Sequence, residues 1–198
     1  RRIIARGYDV DGKEIAKKEI SITVTGFDGT IPGGQTEPGS PGAGNVNAAL
    51  AEKMAIEGGK CLSPPEAARC TNGTGGFSTG NCWRFVKRAL ERAGINYNKL
   101  QNAGPCSSFE FQIAARGFRC NADANPTILA QIGLKKINVP TTQAPRGAII
   151  SWEKNCLGYN ARYGHIEISQ GNGTACSDYC GRIRGDAPSC ASVYVAID

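Results

Sequence analysis

Histidine is almost missing from this chain: one residue in 198, His165, alongside one methionine and two tryptophans. A histidine-rich metal centre is therefore excluded, and none of the nine cysteines stands in the C-x-x-C spacing that would supply thiolate pairs for zinc. No metal and no cofactor is expected. No apolar run approaches the roughly 20 residues that a membrane span needs. Nothing after Arg1 has the charged-then-apolar form of a secretory leader, so the chain reads as a mature or trimmed form. Charge of one sign is not blocked together either: the net +6 is spread along the chain. Such a balance favours anionic surfaces, but no basic stripe interleaved with aromatics and no nucleic-acid motif accompanies it, so nucleic acid is not an expected partner. There is no internal repeat.

What the chain does have is cysteine: Cys61, Cys70, Cys82, Cys106, Cys120, Cys156, Cys176, Cys180 and Cys190. That density points to an oxidising compartment, periplasmic or outside the cell. Nine is odd, so if eight pair, one thiol is left over and calls for a chemical reason. Local pairing is the simplest arrangement, joining Cys61 with Cys70, Cys106 with Cys120, Cys176 with Cys180, and Cys156 with Cys190.

Residues 1–28 alternate apolar and polar side chains around a D-x-D-G turn, the pattern of a β-hairpin, and resemble the last two strands of a bacterial immunoglobulin-like domain. Residues 29–44 hold nine Gly or Pro among sixteen and read as a linker. From residue 45 to 198 a second domain is expected. It begins with a helix carrying Val46, Ala49, Leu50 and Met54 on one side and a Gly stop. The stretch NCWRFVKRALERAG reads as an amphipathic helix, with Cys82, Val86, Ala89 and Ala93 on one stripe and Gly94 as its C-cap. A Ser107-x-x-Glu110 capping box with a Gly117 stop predicts a further helix, and Asn125 with Pro126 another. Strands follow in LKKINV, GAIISW, YGHIEIS and SVYVAI. Helices first and an antiparallel sheet afterwards is an α+β order.

The surplus thiol falls on Cys82 because of its position. The first turn of a helix presents unpaired N–H groups and the positive end of the macrodipole, which stabilise a thiolate, as a nucleophile requires. The ordinary reading is a small buried hydrophobe. His165 is the one candidate base, and strand alternation puts His165, Glu167 and Ser169 on one face with Ile166 and Ile168 on the other. Two acids compete to orient the ring. Asp178 returns beside it on the turn QGNGTACSDYC, whereas Glu167 stands about 7 Å along the strand, so Asp178 is preferred and Glu167 is secondary, as are Asn81 and Trp83. Trp152, Tyr163 and Tyr179 are candidates to line a substrate groove, with core packing as their ordinary role. Arg182, Arg184 and the Lys135–Lys136 pair are candidates to meet substrate carboxylates or wall polymers, against a solvated face as the ordinary account.

The segments NCWRFVKRALERAGI, PRGAIISW and GHIEISQGNGTACSDYCG, in that order, resemble the papain-like cell-wall hydrolases, the broad group that contains the CHAP amidase/peptidases. More narrowly they resemble the fourth group of type VI secretion amidase effectors. The resemblance covers residues 75–198 and implies a papain-like fold, with helices on an antiparallel sheet and the nucleophile at a helix N-terminus. It implies Cys82, His165 and Asp178 as nucleophile, base and orienter. The implied activity is cleavage of an amide bond in peptidoglycan stem peptides, between D-glutamate and the diamino acid in that effector group. Peptidoglycan is then the partner, an immunity protein is a further candidate partner, and a monomer is expected. Two other function classes fit the same residues: a non-catalytic, disulfide-rich module that binds cell wall or glycan, and a cysteine peptidase or transglutaminase-like acyltransferase acting on proteins.

Overall fold

A computed structural model of the chain describes residues 2–8, 14–21, 45–63, 68–69, 71–72 and 80–198, with side chains described in 45–61 and 80–198. The chain divides into two compact units, 1–34 and 35–198. In the first, β1 (Arg2–Tyr8) pairs antiparallel with β2 (Glu14–Ser21), Arg2 standing opposite Ser21. The expected D-x-D-G turn and the 29–44 linker lie outside the described residues.

The second unit begins with α1 (Ala48–Gly59), β3 (Leu62–Ser63), β4 (Ala68–Arg69), β5 (Thr71–Asn72) and α2 (Cys82–Ala93). Four short helices follow: α3 (Tyr97–Gln101), α4 (Phe109–Gln112), α5 (Ala115–Ala124) and α6 (Pro126–Gln131). Strands then dominate, β6 (Leu134–Ile137), β7 (Ile149–Trp152), β8 (His165–Gly171), β9 (Thr174–Cys176), β10 (Tyr179–Arg182) and β11 (Ala191–Ala196), with short 3-10 turns at Thr141–Gln143 and Cys156–Gly158. The sheet order is β5-β10-β9-β8-β7-β11-β6, antiparallel throughout except where β5 joins β10 in parallel. The architecture is α+β, as the element order predicts.

Alternation along the central strands sorts side chains into two cores. Ile149, Ile166, Ile168 and Tyr194 face the helices, where Met54, Val86, Leu90, Phe118 and Leu129 meet them. Ile150, Trp152, Val193 and Val195 face the other way and are covered by Tyr159, Ile183 and other loop residues. Each large apolar side chain so buried contributes about 1.5–3 kcal/mol. The second core alters an expectation: His165, Glu167 and Ser169 share a face, but that face is covered by loops and all three are buried.

α2 buries Cys82, Phe85, Val86, Ala89, Leu90 and Ala93 and ends on a left-handed Gly94 whose N–H reaches back to Glu91 and Leu90 carbonyls. Trp83 is buried too, its indole N–H donating to the Gln112 carbonyl while its ring packs on Tyr97 and Phe118. α1 starts later than periodicity suggests. Asn47 is its cap, accepting from the Leu50 N–H, and Val46 lies before the helix, exposed and bridged to Ile197.

The Ser107/Glu110 capping box does not form. Ser108 is the cap position of the one-turn α4, and Glu110 reaches Arg116 instead. Gly117 is no stop but lies inside α5, because a Cβ there would come within 2.0 Å of the Phe111 carbonyl oxygen. Close approach of α4 to α5, which no local pattern announces, is what selects glycine. Asn125 and Pro126 do open α6. The QGNGTACSDYC stretch forms β9 and β10 rather than turn alone, with Cys176 opposite Cys180.

Disulfides join Cys106 to Cys120, Cys156 to Cys190 and Cys176 to Cys180, as local pairing predicts. Cys70 lies outside the described residues. Cys82 is free. Among the described residues, no helix is long and apolar enough to cross a membrane.

Candidate active site

Cys82 is the first residue of α2 and His165 the first of β8. Helix and strand pack against each other, and their starting residues line one cleft of about 380 Å³ together with Tyr159, Tyr163, Tyr179 and Arg184. More than eighty residues of chain separate the sulfur from the imidazole; the packing of α2 on β8 brings them to one place. Both are deep in the cleft, Cys82 6% and His165 2% exposed.

The helix start leaves the N–H of Cys82 without an intrahelical acceptor, as the first turn of any α-helix does. Among the described residues no other group takes it up. The preceding N–H, of Asn81, donates to Asp178 Oδ2 at 3.0 Å. Asp178 is buried on the turn between β9 and β10, held within the Cys176–Cys180 disulfide, and its Oδ1 accepts from the Ser177 hydroxyl at 3.1 Å. A carboxylate fixed there favours the positive end of α2 and sets where the helix begins.

The carboxylate nearest the imidazole is Glu167, whose Oε2 lies 3.5 Å from His165 Nε2. Its Oε1 accepts from the Trp152 indole N–H at 3.1 Å. Two residues apart on a strand are separated along the backbone, but side chains lean along the strand axis, and the indole of Trp152, opposite His165 in register, draws the Glu167 carboxylate toward the ring. Among the described residues His165 Nε2 makes no well-formed hydrogen bond, so the approach of Glu167 is an ion-pair contact rather than a closed bond. Burial opposes a charge on His165, yet its hydrogen bond with Cys82 and the charge of Glu167 more than offset this and raise its pKa to about 10.

Aromatic rings confine the imidazole. Tyr159 stacks on it with centroids 4.3 Å apart and planes 11° from parallel, and Tyr179 stands at 5.8 Å. Burial and the nearby Glu167 push both phenols above their ordinary pKa, so both hydroxyls keep their protons at neutral pH. Among the described residues the buried Tyr159 hydroxyl makes no well-formed hydrogen bond, with the Tyr179 hydroxyl as its polar neighbour. On the far wall, Arg184 lies over the Tyr159 ring at 4.3 Å and donates through Nη1 to the Leu157 carbonyl at 3.2 Å. Leu157 adopts φ 46°, a left-handed conformation that costs a branched side chain about 1–3 kcal/mol.

The residues singled out in the sequence are thus placed unevenly. Cys82, His165, Tyr163 and Tyr179 line the cleft. Trp152 does not: it is fully buried and serves Glu167. Trp83 is core, and Asn81 acts through its backbone. Glu167 rather than Asp178 reaches the ring. Tyr159 escaped sequence reasoning, since it sits in an irregular loop with no periodic or spacing signal; of the basic residues singled out, Arg184 lines the cleft, whereas Arg182, Lys135 and Lys136 do not.

No known family model matches the chain, and neither a curated protein nor a solved structure matches it.

Proposed function

We propose that the chain is a peptidoglycan hydrolase of papain-like fold that cleaves an amide bond in the stem peptide, with Cys82 as nucleophile and His165 as base. The observation that carries this reading is the meeting, at a single cleft, of the one free cysteine among the described residues with the chain's one histidine. A purely adhesive module has no use for that pairing.

In the reaction, the proton shared by the hydrogen-bonded Cys82 and His165 resides on the imidazole, and the sulfur attacks the amide carbonyl. The Cys82 N–H, at the positive end of α2, receives the developing oxyanion. The imidazolium then gives its proton to the departing amine as the C–N bond breaks, leaving a thioester. Water, deprotonated by His165, hydrolyses the thioester and restores the thiol. Glu167 orients the ring and balances its charge. Asp178 positions the start of α2 through Asn81. The bond between D-glutamate and the diamino acid is the proposed target, and the disulfides fit a secreted or periplasmic site of action.

Purified sacculi incubated with the protein should release muropeptides whose masses identify the bond cut. Cys82→Ala should retain the fold and lose all release. Undiminished release by Cys82→Ala would end the proposal, and cleavage of protein substrates with intact sacculi would assign the same residues to a protein-directed peptidase or acyltransferase.

A further inference from the structure

We propose that Arg184 is the anion subsite of the cleft, docking a carboxylate that the substrate carries a few bonds from its scissile amide. The inference deepens the hydrolase reading and rests on it for the nature of the substrate.

Arg184 differs from the arginines that are tied into ion pairs. Arg88, Arg92, Arg116, Arg119 and Arg146 each meet a carboxylate. Arg184 meets none among the described residues, although it lines the cleft that holds Cys82 and His165. Among the described residues no Asp or Glu lines that cleft; Glu167 serves His165, and no carboxylate is paired with Arg184. The guanidinium is nevertheless held in place. One N–H is given to the Leu157 carbonyl and the plane rests on Tyr159, which leaves its other N–H groups free for a bidentate carboxylate.

The hold on Arg184 is built deliberately into the loop. Asn155, Leu157 and Gly158 all take positive φ, and the Cys156–Cys190 disulfide ties the segment down. A strained non-glycine backbone that turns one carbonyl toward a cleft arginine marks a site rather than an ordinary turn. Distance fits as well. Imidazole and guanidinium both lie 4.3 Å from the Tyr159 ring, which puts them within about 9 Å of each other. An acyl chain attacked beside His165 spans that gap when its free carboxylate is four to six bonds from the scissile carbonyl. The substrate class is therefore an amide whose acyl or amine residue bears a free carboxylate, and a neutral amide is disfavoured.

The test uses alkylation of Cys82 by 4-(iodoacetamido)butanoate and by its uncharged primary-amide analogue, and reads the ratio of the two rates, with N-acetylcysteine amide as reference. The wild-type ratio should exceed the reference about tenfold at low salt, the advantage a charged hydrogen-bonded contact gives, and shrink as salt is added. Arg184→Gln should bring the ratio down to the reference, Arg184→Lys should keep part of it, and the exposed Arg182→Gln should leave it at the wild-type value. A wild-type ratio no higher than the reference, or one unchanged in Arg184→Gln, overturns the subsite. The ratio does not depend on the absolute reactivity of the thiol. A Cys82 that reacts with the neutral reagent no faster than the reference defeats the catalytic reading, and the ratio still judges Arg184.

Discussion

Replacing Glu167 with glutamine removes one charge from beside His165 and leaves the shape of the side chain almost unaltered. The amide oxygen still accepts from the Trp152 indole, so the buried pair survives and the fold should persist. What changes is the face turned to the ring: an NH2 replaces the Oε2 that lies 3.5 Å from Nε2. Two unit charges at that separation and an effective dielectric of about 20 interact by about 5 kcal/mol. That stabilisation exists only when the imidazole is protonated, the state in which, by the proposed mechanism, it would deliver a proton to the leaving amine. Its loss corresponds to about 10³-fold in rate. The amide also presents a donor where the carboxylate presented an acceptor, which favours the wrong tautomer of the ring. The assay is initial release of muropeptides by Glu167→Gln beside Asp178→Asn, with circular dichroism to verify that each variant is folded. A Glu167→Gln enzyme within a few-fold of wild type, with Asp178→Asn losing orders of magnitude, would refute the assignment of the ring partner and return that role to Asp178.

Stability should depend on pH through the same group. The folded pKa of His165 is raised to about 10 from an ordinary 6.5, so the folded state holds a proton that the unfolded chain releases. The resulting stabilisation is fully present below pH 6.5 and is lost as pH rises through about 10, which urea midpoints across that window will show; His165→Gln should flatten the decline, and an unchanged slope in that variant would contradict the assignment. Trp152→Phe keeps the ring in the second core but leaves Glu167 Oε1 without its donor, and should cost about 1–3 kcal/mol by denaturation. Gly117→Ala should destabilise by about 2 kcal/mol or more, since its new methyl meets the Phe111 carbonyl and backbone must move. A neutral Gly117→Ala would mean that α4 yields freely.

Local chemistry settled much of this molecule before any packing was considered. The period of α2, its Gly94 cap, the Asn125–Pro126 start of α6 and the alternation of β7, β8 and β11 are all short-range patterns, readable because a helix or strand repeats every few residues. Cysteine spacing likewise anticipated the Cys106–Cys120 and Cys176–Cys180 bridges, because close partners need little chain to meet, and left Cys156 for Cys190. Tertiary structure decided what depends on distant chain. Gly117 looked like an ending and is a contact, Trp152 looked like a groove and is a support. Which acid reaches the imidazole was settled by the indole opposite it, across a strand pair that no local spacing reveals. The covering of His165 on β8 by Tyr159 came from a loop of irregular backbone, whose course is fixed by a disulfide and strained turns rather than by any repeat. The sequence by itself could nominate a lone thiol and a lone imidazole; only the docking of α2 on β8 brings them together, since that contact is made by apolar side chains spread over the whole chain.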